Sequence, residues 1–467
     1  MKRALLYLLL LGGCAAGPDY QKPEAPVAPE YKELAGWKQA QPRDNLPRGS
    51  WWTVFGDPQL DELMKRVEVS NQTIREAEAR VRQSKAVTDQ ARAGYFPTVA
   101  ASGSVTRSKS PSLSNQPNFA TGAVDNFSLG VNASWELDLW GRVRRSVEQG
   151  EANFQVSEAQ LEAARLSARA SLAQSYFALR VADQAQRVLE ETVQGYQRTL
   201  DLTNNRYKAG VAARVDVVQA EVQLKSAQAN LIDIGVERAQ LEHAVALLLG
   251  VPPSQFSLAA STAGMTMPAI PVAMPAELLE RRPDIAAAER AVAAANAQIG
   301  IARSAYYPSL TLSGGTGFRA TDIGNLLSAP SRFWSLGASA AQAIFDGGAR
   351  TAVTEQARAN YDAQVAAYRQ TVLTGFQEVE DNLAALRILE QESAMQEEVV
   401  QSARHALELT ENQYRAGVVG YLNVIAVQQV LFNNQRTALN VLARRLAASV
   451  GLIRALGGGW TASELVK

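Results

Sequence analysis

Two long stretches of the chain place apolar residues every three or four positions, and before each the period falls to two. From Arg142 to Arg206, 65 residues free of proline, Leu166, Ala170, Ala173, Phe177 and Val181 follow the spacing of a coiled-coil seam. Phe376, Val379, Leu383 and Leu386 repeat that spacing in the proline-free stretch after Pro330. Ala, Gln, Glu, Arg and Leu dominate both stretches and favour helix. A single helix over the first would be roughly 100 Å long at ~1.5 Å per residue. Alternation marks the other element. Phe127, Leu129, Val131, Ala133, Trp135 and Leu137 are separated by Ser128, Gly130, Asn132, Ser134 and Glu136, which predicts a strand over 127–137 with one apolar and one polar face. Trp334, Leu336, Ala338 and Ala340 predict a second over 334–344. Partner strands are expected after Tyr95-Phe96-Pro97 and Tyr306-Tyr307-Pro308, over 96–107 and 309–318, with hairpin loops at 108–126 and 319–332.

The pattern occurs twice. Ala93-Gly94-Tyr95-Phe96-Pro97 matches Ser304-Ala305-Tyr306-Tyr307-Pro308 at an offset of 211, and Arg206-Tyr207-Lys208-Ala209-Gly210-Val211 matches Gln413-Tyr414-Arg415-Ala416-Gly417-Val418 at 207. Self-similarity on this scale means one structural unit used twice. The expected division is a signal peptide over 1–13, an extended arm over 14–57, repeats over 58–270 and 271–456, and a tail over 457–467. The arm is proline-rich, with Pro18, Pro23, Pro26, Pro29, Pro42 and Pro47, and carries no helical or strand period.

Charge and composition narrow the function. Lys+Arg and Asp+Glu are both 46, which argues against nucleic acid as a partner. One cysteine and two histidines, His243 and His405, leave no basis for a metal centre, and no nucleophile–base or carboxylate pair suggests an enzyme. No cofactor is expected. The cysteine is informative by position: Lys2 and Arg3, an apolar run over Ala4–Leu11 and then Gly12-Gly13-Cys14 resemble a bacterial lipobox. Cys14 is then the acylated N-terminus, palmitate included, and Ala15 in place of Asp directs the protein to the outer membrane. An ordinary signal peptide with an incidental cysteine is the alternative.

That address bears on the strands. A sheet with one face on a soluble core fits the same alternation. Strand length near the ~9–11 residues of a membrane span, a polar face of Ser, Asn, Gly and Thr suited to a wet lumen, and the outer-membrane signal favour a barrel wall. Phe127, Leu129, Val131, Trp135, Trp334 and Leu336 are its expected lipid-facing residues. Four strands cannot close a barrel, and open edges are excluded from hydrocarbon. Two, three or four chains would give eight, twelve or sixteen strands. Arg142, Arg144 and Arg145 follow the strand ending near Trp140 and fit either lipid headgroups or a solvated helix start.

Trp51-Trp52-Thr53-Val54-Phe55-Gly56-Asp57-Pro58-Gln59-Leu60 resembles the opening motif of the outer-membrane efflux lipoproteins, the NodT-type branch of the TolC family. The duplicated Tyr-x-x-Gly, Tyr306-Tyr307-Pro308 and Leu456-Gly457-Gly458-Gly459-Trp460 are similar to it too. The resemblance implies a mainly α chain with a membrane β part: long coiled-coil-like hairpins forming an α-barrel, plus four transmembrane strands completed as a 12-stranded barrel in a homotrimer. It implies a periplasmic tunnel that exports small molecules such as drugs. The partners it implies are a periplasmic adaptor (membrane fusion) protein and an inner-membrane pump of the resistance-nodulation-division type. A duct for secreted polypeptides shares this architecture; a non-transporting coiled-coil lipoprotein leaves the strands unexplained. The family closes its tunnel at the helix tips, which the glycines place here at Gly210 and Gly417. Asp216 and Tyr414 match the tip-linking network, with an expected hydrogen bond between them. Asn423, like Ala426, stands where acidic residues are often found in the family, a departure that points to a mainly steric and hydrogen-bonded gate and leaves an acidic constriction open.

Overall fold

The computed structural model describes residues 15–33, 50–109, 123–261, 265, 267–268, 270 and 281–458; Cys14 lies outside them. The first half runs α1 (Pro58–Ser70), α2 (Gln72–Ala93), β1 (Thr98–Ser108), β2 (Val124–Leu137), α3 (Arg142–Lys208) and α4 (Arg214–Leu248). The second runs α5 (Pro283–Ser304), β3 (Ser309–Ala320), β4 (Arg332–Ala341), α6 (Ala349–Arg415) and α7 (Tyr421–Ala455). α3 and α6 have 67 residues each, and α4 and α7 have 35 each. The strands differ from expectation by a few residues. Pro97 and Pro308 lack the N–H a ladder needs, so β1 and β3 start after them, and β2 and β4 begin at Val124 and Arg332 because the pairing runs further into the loops. β4 stops at Ala341 rather than 344.

One compact unit comprises the described parts of 1–24, 81–157 and 288–368. Its sheet is antiparallel in the order β1-β2-β3-β4. Residues directly opposite share a face. The register Val131↔Ala101, Val131↔Thr316 and Thr316↔Trp334 therefore gathers Phe127, Leu129, Val131, Trp135, Leu310, Leu312, Phe318, Trp334 and Leu336 on one face. The other carries Ser102, Ser104, Ser128, Asn132, Ser134, Ser313 and Ser335, with Ser104 Oγ 2.8 Å from Ser128 Oγ and Asn132 Nδ2 donating to Ser102 Oγ at 3.2 Å. Apolar side chains stand uncovered: Trp334 is 81% and Leu336 83% exposed. The outer sides of β1 and β4 have no partner strand in this sheet.

The start of the arm is fixed within the same unit. Ala16 N–H donates to the Trp140 carbonyl at 2.8 Å, and Asn296 Nδ2 to the Pro18 carbonyl at 3.0 Å. Arg145 is buried and holds Asp19 and Glu148, each at 2.7 Å. Gly17 adopts φ 97°, and a Cβ there would sit 2.5 Å from the Gly300 Cα, so arm and α5 meet backbone to backbone.

The second unit comprises the described parts of 25–80, 158–287 and 369–467. Its core includes Trp51, Leu60, Met64, Leu172, Leu179 and Leu383, all nearly inaccessible. The tryptophan-rich motif is structural. Trp51–Phe55 form a 3₁₀ turn ended by Gly56 at φ 64°, and Asp57 caps α1 by accepting from Gln59 N–H at 2.9 Å, with Pro58 at the first helical position. Tyr176 donates to the other Asp57 oxygen at 2.6 Å. Asp183, fully buried, receives Arg180 and Arg238 at 2.8 Å each. The same arginines donate to the carbonyls of Ala259 and Leu258, and Ser261 N–H to Asp183, so one carboxylate tethers 258–261 to α3 and α4. Among the described residues no helix is long and apolar enough to cross a membrane.

Candidate functional site: the paired helix tips

Both tips lie in the second unit and end by the same device. Gly210 N–H donates to the Tyr207 carbonyl at 2.9 Å and Val211 N–H to Arg206 at 2.9 Å. Gly417 N–H donates to Tyr414 at 3.0 Å and Val418 N–H to Gln413 at 2.9 Å. These are paired Schellman bonds, which need a left-handed residue; Gly210 and Gly417 supply φ 77° and 79°.

Beyond each glycine the chain turns through three residues into the next helix. Asp216 and Asn423 occupy equivalent positions in α4 and α7, 207 residues apart. Each N–H donates back to the last residue of its turn, Ala213 at 3.1 Å and Gly420 at 3.2 Å. Asp216 Oδ2 also accepts from Ala213 N–H at 3.2 Å. Ala213 has no side-chain acceptor, so the carboxylate satisfies one of the free amides of the helix start. Asn423 is exposed.

Tyr414 does not meet Asp216. Its hydroxyl lies 3.1 Å from Thr203 Oγ1. Thr203 already donates to the Thr199 carbonyl, so Tyr414 is the donor and Thr203 the acceptor. The expected Asp216–Tyr414 bond is replaced because each group has a nearer partner, in its own turn or on α3. Arg206 completes the contact. Its guanidinium lies 4.8 Å from the Tyr414 ring centroid, and Nη1 donates to the carbonyls of Tyr414 at 2.6 Å and Arg415 at 3.2 Å. A cation on α3 thus caps the carbonyl end of α6. Tyr421, at the start of α7, packs 5.8 Å from Tyr414 in a cluster with Tyr196, Leu200, Val217 and Val424. Burial, with Tyr414, Tyr196 and Asp216 nearby, pushes its hydroxyl far above the ordinary tyrosine range, so it stays protonated. Gln428, also buried, donates to Thr199 Oγ1 at 3.0 Å.

The tips are not equivalent. Tyr207, the counterpart of Tyr414, is 39% exposed against 3%, and the counterpart of Arg206 is Gln413. Arg206, Thr203, Tyr421 and Gln428 escaped the sequence reading. The one signal for Arg206 was its replacement by a neutral residue in the second repeat. Val211, Val215, Val418 and Leu422 leave apolar surface exposed at the turns. Of the other predicted residues, Leu129, Val131, Trp334 and Leu336 are exposed, and Phe127 and Trp135 half-buried, on the apolar face of the sheet.

Residues 63–251 and 274–458 match the profile of the family described as outer membrane efflux protein. The probable efflux pump outer membrane protein TtgC of Pseudomonas putida is 34% identical over 98% of this chain and 96% of its own. The cation efflux system protein CusC of Escherichia coli is 30% identical, covering 97% of each. The solved outer-membrane channel OprN superposes with a TM-score of 0.88 at 30% identity, over 96% of this chain and 100% of that one.

Proposed function

As the chain belongs to the outer membrane efflux protein family, we propose that three copies form an outer-membrane duct whose periplasmic tips are its gate. The observation that carries this is the four-stranded sheet, apolar on one face, hydroxyl- and amide-lined on the other, with both edges open. Hydrocarbon excludes open edges, and three such sheets joined β4 to β1 give twelve strands with no edge left. The apolar face meets lipid and the polar face lines the lumen. Cys14 carries the acyl anchor, a reading supported by Ala16, two residues further on, donating to the Trp140 carbonyl just after β2. Tandem units over 58–270 and 271–456 are supported by the matched helix lengths. Cargo is small molecules, handed over by a periplasmic adaptor and an inner-membrane pump, and the duct does no chemistry of its own.

At the tips Gly210 and Gly417 set the turns, and Tyr414 with Arg206 holds the second tip to α3. Asp216 keeps Oδ1 without a partner among the described residues, so it remains available to a neighbouring chain. A gate must release when its partner engages, so polar contacts of modest strength suit it better than a sealed apolar plug. The purified trimer in planar bilayers tests the reading: a small resting conductance is expected, rising when tip contacts are removed. A protein that inserts no channel under any condition refutes the duct.

A further inference from the structure

At the helix-connected end of the sheet, aromatic side chains cluster. Trp140 stacks on Tyr307 at 4.8 Å and donates from Nε1 to the Pro308 carbonyl at 2.8 Å, and Trp135 donates to the Tyr95 carbonyl at 3.1 Å. Aromatic rings of this kind mark the headgroup level of a membrane wall. Directly beside them the same unit has a cavity of about 420 Å³ between the last turn of α5, the first three turns of α6 and Ala16–Gly17 of the arm. Its lining includes two arginines and one carboxylate, Arg303, Arg358 and Glu355, for a net charge of +1.

The arginines differ in what they already hold. Arg358 makes a loose, exposed contact with Glu355 at 3.4 Å. Arg303 is half-buried and has no side-chain partner among the described residues. A cation in the last turn of a helix suits the macrodipole, but that accounts for its place in the helix and not for a cavity around its guanidinium. Thr351 adds a donor: its oxygen accepts from the Tyr306 hydroxyl at 3.3 Å, which leaves its own proton free to point elsewhere. The sequence had offered Arg142, Arg144 and Arg145 for headgroups. Arg142 is held bidentately by Glu136 at 2.7 and 2.8 Å, and Arg145 by Asp19 and Glu148, so neither has its fork to spare.

We propose that this cavity binds the phosphodiester of a periplasmic-leaflet phospholipid, with the Arg303 fork and the Thr351 hydroxyl on the phosphate oxygens and Arg358 as second cation. Arginine forks match phosphate geometry, and basic pockets at the membrane–water boundary take lipid headgroups. Glu355 faces the alcohol or ammonium beyond the phosphate. The proposal rests on the sheet lying in the membrane. A lipid seated here touches the arm, α5 and α6 together, next to the residues that follow Cys14.

The test uses the full-length trimer, delipidated in detergent, with native mass spectrometry of bound lipid. Phosphatidylglycerol is added as probe, diacylglycerol as its phosphate-free control, and inorganic phosphate as competitor. Phosphatidylglycerol should be retained and diacylglycerol not. Retention should fall about tenfold in Arg303→Gln, the order expected for loss of a charge-assisted bond, and not in Arg444→Gln, a charge loss elsewhere. Arg303→Lys should restore part of it. Millimolar inorganic phosphate should leave the lipid in place. Equal retention by Arg303→Gln and the unsubstituted trimer overturns the site, as does equal retention of diacylglycerol. Displacement by phosphate alone makes it a site for free anions and overturns the lipid assignment. Insertion into lipid vesicles is scored separately: a trimer that does not insert removes the membrane reading itself, whereas one that inserts with lipid retention unchanged by Arg303→Gln removes only this site.

Discussion

Replacing Arg206 by alanine removes three contacts between α3 and the end of α6. Two are hydrogen bonds to carbonyls at 2.6 and 3.2 Å, and the third is the guanidinium over the Tyr414 ring at 4.8 Å. Hydrogen bonds to a charged group contribute ~1.5–3 kcal/mol when buried, and a cation over an aromatic ring at an exposed site ~0.5–1 kcal/mol. Arg206 is only half-buried and both bonds leave the single nitrogen Nη1, so they count as one charge-assisted interaction, the lower ends apply, and about 2 kcal/mol per chain is expected. Tyr414 keeps Thr203 and its packing on Tyr421, so the fold itself should survive. A change of about 2 kcal/mol is roughly 30-fold in a local opening equilibrium. Hydrogen exchange reads it directly, because the amides of Ala416, Gly417 and Val418 donate to the last turn of α6. Their protection should fall by roughly 30-fold, while the matching amides of Ala209, Gly210 and Val211, at a helix end that no cation caps among the described residues, should not change. Resting conductance in planar bilayers should rise. Arg206→Lys should lie between, since an ammonium cannot serve two carbonyls and a ring in the same geometry. Unchanged protection at all three amides in Arg206→Ala would refute the idea that this arginine holds the second tip.

Three other outcomes are expected. Leu129→Arg places a charge on the apolar face at roughly 2–4 kcal/mol per site near mid-bilayer and should lower the yield of assembled trimer on native gels; Asn132→Arg, on the opposite face, should assemble and alter conductance. Asp183→Ala leaves two arginines without their buried carboxylate and the Ser261 N–H without its acceptor, for a loss of ~3–5 kcal/mol, read as a fall in thermal denaturation temperature. Cys14→Ser should abolish acyl labelling, and labelling that persists refutes the anchor.

Elements were legible where a single period runs long. α3 is expected over 142–206 and ends at Lys208, because sixty-odd residues without proline, with alanine and leucine in the seam, leave no competing local structure. Strand faces were also within reach, since period two fixes which residues of a strand share a face and the proline motifs fix where two of the strands begin. Partners across the fold were not. Thr203 and Tyr414 are 211 residues apart, and no periodicity says which helix end faces which. Asp216 shows the same limit from the other side: the local rule that an acid favours a helix start described its contact, while the long-range bond expected for it did not form. The arm carries no period at all, and its place depends on Gly17 and Gly300 meeting backbone to backbone, which a sequence shows only as two glycines among 32.

The polar face of the sheet has a consequence for how such a duct changes over generations. Between Glu136 at one end and Arg319 at the other, β2 and β3 present only Asn, Ser, Gly and Thr on that face. With that face on the lumen, as proposed above, small neutral groups offer passing solutes neither a fixed charge nor a shaped recess, so these two strands discriminate little between cargoes. A new exported compound then demands no adjustment in β2 or β3, and a variant selected for altered cargo should map elsewhere, first to the protein that loads the duct. The pressures acting on these strands are closure, insertion and wetness, which explains why so plain a set of side chains suffices there.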